Sequence, residues 1–213
     1  MAIVTTETVR KIADELKTQN SILSIIADKS AGSVKLESFA DVQAAVKAGI
    51  APKLFKIGDQ IVTPYVYNGV SYDCPWDVVS FEDVTVKDEN GNDKVVPGMT
   101  LMQHFATIEA IQFDAAEPSN PDANIKQYGD NNYILSAQRQ WLNSAADKGE
   151  WWTAQHEYDV APQQLVNYSG FLAGWPDDFL SVLGCTKQGV ALNTVTDGGR
   201  VEYIYDKFFL PSV

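Results

Sequence analysis

Histidine and cysteine are nearly missing from this chain, with two of each in 213 residues. Cys74 and Cys185 lie far apart and are too few for a disulfide framework, so free thiols are expected. Neither thiol has a basic neighbour to lower its pKa, which argues against a cysteine nucleophile. Neither His104 nor His156 has a partner at metal-ligand spacing. Basic residues are also scarce: 16 Lys and Arg stand against 28 Asp and Glu, for a net charge of −12. No Lys/Arg-rich block exists to bind phosphates, so no nucleic-acid partner is expected. No apolar run approaches the roughly 18 residues of a membrane span, so no membrane insertion is expected. The opening MAIVTTETVRKIADEL lacks the apolar region of a signal peptide, so synthesis and folding in a cytoplasm are expected. Neither G-x-S-x-G nor a phosphate-cradling glycine loop occurs.

Apolar residues make up 45% of the chain, with five Trp, so it can bury a core. Residues 5–27 read as a helix with Val9, Ile12, Leu16, Gln19, Leu23 and Ile26 at alternating spacings of three and four. That is the seam of a coiled coil, with Gln19 as a polar layer fixing register. Ile22 and Ile25 widen the apolar face, which equally suits an amphipathic helix lying on its own domain. A second helix is predicted over 38–48, capped by Ser38 with Asp41 three residues on and closed by Gly49. Phe39, Val42 and Val46 line one face of it.

From Pro52 the pattern turns to strands. LFKIGDQIV (54–62) and WDVVSFEDVTV (76–86) are rich in β-branched and aromatic residues. KDENGNDK (87–94) sets Asn-Gly between apolar runs, a β-hairpin signal. The segment 99–114 fits strand or helix, and 115–124 reads as loop. SAQRQWLNSAADKG (136–149) and PDDFLSVLG (176–184) read as helices, the second with Asp177 and Asp178 at its positive end. The segment 190–210 reads as two strands joined through Asp197-Gly198-Gly199 and continuing into the apolar run Phe208-Phe209-Leu210.

Two groups of residues are candidates for chemistry. HEYD (156–159) offers His156, Glu157 and Asp159, but without a His or Cys pair a solvated loop is the expected reading. Trp151, Trp152, Tyr158, Tyr168 and Trp175 would form a binding platform for sugar or protein, or else the core of a loop-rich domain. Arg139, beside Trp141, suits a buried ion pair or a stacked support. No catalytic residue, metal or cofactor is expected.

YGDNNYILSAQRQWLNS (128–144), GEWW (149–152), GFLAGWPDDFLSVLG (170–184), ALNTVTDGG (191–199) and DKFFLPS (206–212) together resemble one family. It is a domain of uncharacterised function from gut bacteria and their phages, with the motifs S-x-x-R-x-W-L-N and ALNTVTDGG…D-x-FFL. Arg139, Trp141, Asn143, Phe208 and Phe209 are its structural motif residues here. KLFKIGDQI and WDVVSFE resemble the front of such proteins, so the likeness covers about 50–213. Tyr133 and Gln138 depart from it, standing where relatives often carry Trp and an apolar residue.

The resemblance implies an α+β fold: a loop-rich C-type-lectin-like domain, shaped like the formylglycine-generating enzyme, preceded by a small antiparallel β unit and an N-terminal amphipathic or coiled-coil helix. The corresponding domains are 1–33 for oligomerisation or attachment, 34–115 for a short helix and β unit, and 116–213 for the lectin-like part. Relatives continue beyond D-x-FFL, so that part is expected to be shortened, with a reduced ligand face. Oxidase chemistry does not carry over, because its cysteine pair has no match. The expectation is a non-enzymatic virion protein of head-fibre, decoration or surface-fibre type. It would form a homo-oligomer, with a trimer favoured, beside other virion proteins. The alternative is a receptor- or glycan-binding module of a phage or bacterial surface.

Overall fold

The computed structural model describes residues 10–11, 13–17, 19–20, 38–107, 109–194 and 198–210. They form an α+β arrangement of short helices and antiparallel strands. Of the seam, Leu16 and Gln19 are described, and both are helical and exposed. Val9, Ile12, Leu23 and Ile26 lie outside the described residues.

The chain clusters into two compact units that interleave along the sequence. The first contains the described residues up to Ile61, with Trp76–Val84 and Val96–Met102. Its helix α1, Phe39–Lys47, starts where Ser38 accepts the Asp41 amide at 3.2 Å and donates its hydroxyl to the Asp41 carboxylate at 2.8 Å. The Ser38 cap is the one the sequence predicts, and the Asp41 carboxylate meets the Ser38 hydroxyl. Ala44 and Ala45 are buried, while Phe39, Val42 and Val46 are half-buried around them. Helix α2, Ala51–Leu54, follows with Pro52 in its first turn, where no amide donor is needed. It occupies the start of the strand expected from residue 54. A turn through Lys56–Asp59, closed by the Asp59 carboxylate on the Lys56 amide at 2.8 Å, delays the strand to Gln60. Trp76 and Val78 complete this unit's buried set with Ala51.

Strand β1, Gln60–Tyr67, turns into β2, Val70–Lys87, through Asn68-Gly69, both in the left-handed region. Strand β3, Asp93–Gln103, follows the predicted hairpin. Asp88 stabilises that turn by accepting the Asn90 and Asn92 amides, each at 2.8 Å. The ambiguous 99–114 is therefore strand as far as Gln103, and its described residues beyond that are irregular. Strands β4, Thr186–Ala191, and β5, Val201–Asp206, pair antiparallel in register from Thr186↔Asp206 to Ala191↔Val201. The order is β1-β2-β4-β5, with β3 also on β2. Strand β5 ends at Asp206, so Phe208 and Phe209 are not strand as expected. Near the start of β3, Asp93 accepts from Lys87, Lys187 and Tyr205 together. These three hydrogen bonds hold its carboxyl well below the usual range.

The second unit holds Val62–Pro75, Thr85–Val95 and the described residues from Gln103 onward. Its helices are one or two turns long: α3, Ala123–Tyr128; α4, Ala137–Leu142; and α5, Asp177–Val182. Two 3₁₀ turns, Gln163–Val166 and Phe171–Gly174, lie between α4 and α5. Ser136 caps α4 as expected, but the helix stops at Leu142 and not near 149. The backbone beyond pairs elsewhere: the Leu172 amide donates to the Ser144 carbonyl at 2.9 Å, and Gly170 to Ala146 at 2.8 Å. The chains approach so closely that a β-carbon at Gly170 would stand 2.2 Å from the Ser144 oxygen. Only glycine fits there.

With so little regular structure, large rings fill the interior. Phe171 lies 4.9 Å from Trp141, 5.4 Å from Trp175, 5.2 Å from Phe208 and 5.6 Å from Tyr65, between ring centres. The mostly tilted and edge-on geometries suit the ring quadrupoles.

Candidate functional site

The motif residues are spent on holding the second unit together. Arg139 forms a two-pronged pair with Asp206, 2.7 Å from Nε and 3.0 Å from Nη2, and its Nη1 donates to the Ile134 carbonyl at 2.8 Å. Asp206 is only 5% exposed. This settles Arg139 as an ion-pair partner. Asn143 works as a clamp: its amide donates to the Phe208 carbonyl at 2.8 Å, and its oxygen accepts the Lys207 and Phe208 amides. Trp141 donates its indole N–H to Ser169 at 3.0 Å from a buried position. Phe208 is buried on the rings of Phe171 and Trp175, and Phe209 is half-buried.

Of the two readings of the Trp- and Tyr-rich group, burial places Trp151 and Trp175 in the core. Trp151 is 5% exposed and Trp175 4%, so neither presents a ring face to a ligand. Trp151 also donates to the Tyr168 carbonyl at 3.1 Å, which anchors it inward. Trp152, Tyr158 and Tyr168 are half-buried. In a domain with helices this short, indole area is needed to exclude water from the interior.

A different group of aromatics lines an open cleft of about 150 Å³, bounded by Tyr65, Tyr72, Cys74, Phe105 and Phe171. Tyr72 and Phe105 are exposed at its mouth. Deeper, Tyr65 donates its hydroxyl to Glu109 at 2.6 Å. Burial, with the Glu109 carboxylate adding to it, pushes the phenol far above its ordinary range, so Tyr65 stays a donor. Burial likewise raises the Cys74 thiol, which keeps it protonated and a poor nucleophile. Sequence reasoning missed this cleft because its residues come from 65–75 and 103–107, separated by the hairpin, and from Phe171.

One group among the described residues could hold a metal. Glu117, His156 and Asp159 bring one donor atom each within 4.8 Å of one another. HEYD thus supplies two of the three, whereas Glu157 is exposed and outside the group. Glu117 comes from the stretch whose composition reads as loop.

No family model, curated protein or solved structure matches the chain.

Proposed function

We propose that this chain is a non-enzymatic structural protein of a phage particle, of head-fibre, decoration or surface-fibre type. It assembles as a homotrimer through its N-terminal helix and displays a lectin-like domain among other virion proteins. The observation that carries this reading is how the motif residues are used. Arg139, Trp141 and Asn143 spend their polar groups on Asp206, Ser169 and Phe208 within the chain, and Phe208 is buried. Such a framework suits display. The exposed helical Leu16 fits a seam awaiting copies of itself.

Sedimentation at tens of micromolar is expected to give three times the 23.4 kDa chain mass. Replacing Leu16 and Leu23 with Asp places charges in the apolar layer and should yield monomers that remain folded. A clean monomer from the unaltered chain defeats the assembly reading. Mass spectrometry of purified particles tests the location.

The second reading is a receptor- or glycan-binding module, favoured by the exposed rings of Tyr72 and Phe105 at the cleft mouth. Phe105→Ala should then weaken binding to an arrayed glycan at least about fivefold, the scale of a hot-spot truncation above about 1 kcal/mol, with the melting temperature unchanged. Absence of any glycan bound by the unaltered protein counts against this reading.

A further inference from the structure

Glu117, like Glu109, is a buried carboxylate of the second unit with one oxygen lacking a hydrogen-bond partner. It is 1% exposed, and the oxygen without a partner is Oε1. Its other oxygen accepts from the Asn120 side-chain amide at 2.7 Å, which fixes the carboxylate and leaves Oε1 aimed away from that bond. A buried carboxylate oxygen without a donor is costly to desolvate, and a cation is the standard remedy. The donor atoms that stand with it are those of His156 and Asp159.

The surroundings are built for charge. Asp159 is turned by the backbone: the Gln155 and His156 amides both donate to its Oδ2. Its Oδ1 is thereby left beside His156 Nδ1. On the far side of the ring, Nε2 faces Asp130 Oδ2 at 3.6 Å. A carboxylate behind an imidazole is the usual outer partner of a metal-bound histidine, orienting the ring and raising its basicity. Asp130 is tied in turn to Asp114, whose Oδ2 accepts the Asp130 amide at 3.1 Å. Burial pushes Asp114 up to about 6, and the Asp159 charge acts in the same direction. Three carboxylates, Glu117, Asp159 and Asp130, therefore gather around one imidazole.

The geometry points to a divalent metal site formed by Glu117 Oε1, His156 Nδ1 and Asp159 Oδ1, selective for a transition ion of the zinc class. The mixed nitrogen and oxygen donors favour zinc over calcium and magnesium, which take oxygen shells. An ion about 2.1 Å from each donor spreads any two of them at most about 4.2 Å apart. The three donor atoms lie within 4.8 Å of one another, and Asp159 Oδ1, now in hydrogen-bond contact with His156 Nδ1, must give up that proton and draw back from the ring for both to share an ion. Solvent completes the coordination. The ion would staple the 117 loop to the 156–159 turn, independently of the assembly role proposed above.

The test is isothermal titration of the chelator-stripped full chain with zinc chloride, with manganese and calcium chlorides as separate arms. A Cys185→Ser background removes the exposed thiol as a competing ligand. One zinc per chain, with a raised melting temperature, is expected. Glu117→Gln and His156→Ala should each weaken zinc binding at least about tenfold, the loss that removing even an outer partner brings. Glu157→Gln should bind as the parent does. Should Glu117→Gln fail to fold, His156→Ala decides, because that imidazole is partly exposed. No zinc uptake, uptake unchanged in both ligand variants, or calcium bound in preference to zinc each overturns the proposal.

Discussion

Replacing Arg139 with Met should lower the unfolding free energy by about 3–5 kcal/mol, the usual cost of stranding one partner of a buried ion pair. The guanidinium satisfies both oxygens of Asp206 and also caps the Ile134 carbonyl. Its removal leaves an almost wholly buried carboxylate without a counter-charge. Lysine is not an adequate substitute, since it lacks the planar fork that meets two oxygens at once. Arg139→Lys should fall between the parent and Arg139→Met. Removing both charges, with Arg139→Met and Asp206→Leu together, should recover part of the loss. Urea unfolding, read as a midpoint shift at constant slope, checks all three. A midpoint for Arg139→Met equal to the parent's would mean that the pair does not hold these segments.

A loss of similar size, about 3–5 kcal/mol, is expected for Phe171→Ala. The ring is 2% exposed and touches the rings of Tyr65, Trp141, Trp175 and Phe208. Its deletion opens a cavity among bulky side chains that have little freedom to collapse into it. Because Trp141 and Trp175 are its direct neighbours, near-ultraviolet circular dichroism should lose intensity along with the stability. Phe171→Leu, which retains most of the volume, should cost clearly less. The double variant with Arg139→Met should depart from additivity, since Phe208 touches Phe171 and follows Asp206 by two residues.

Features carried by neighbouring residues are the ones that sequence reading recovers. The Ser38 and Ser136 caps need only an amide three residues on, and the Asn90-Gly91 hairpin needs only its own turn. Asn68-Gly69 bears the same signature between Tyr67 and Val70, yet strands expected at 54–62 and 76–86 leave it outside any strand. Where the helix after Ser136 stops is decided by Ser144 pairing with Leu172, which no local pattern encodes. The same holds for Trp151 and Trp175, whose composition suits a binding face as well as a core. At the Glu117 cluster, His156 and Asp159 are legible as neighbours. Their third member lies in a Pro- and Asn-containing loop, 39 residues before the histidine, with nothing local to mark it.

The clamp between residues 139–143 and 206–208 also sets a schedule for synthesis. Arg139 and its carboxylate partner are 67 positions apart. At typical ribosomal rates of about 5–20 residues per second, the arginine waits roughly 3–13 s for that partner to be made. During this interval Trp141 lacks the ring of Phe208 beyond Phe171, and Asn143 has no backbone to grip. Until residues 206–208 are made, the contacts that Arg139, Asn143 and the Phe171 ring make with them cannot form.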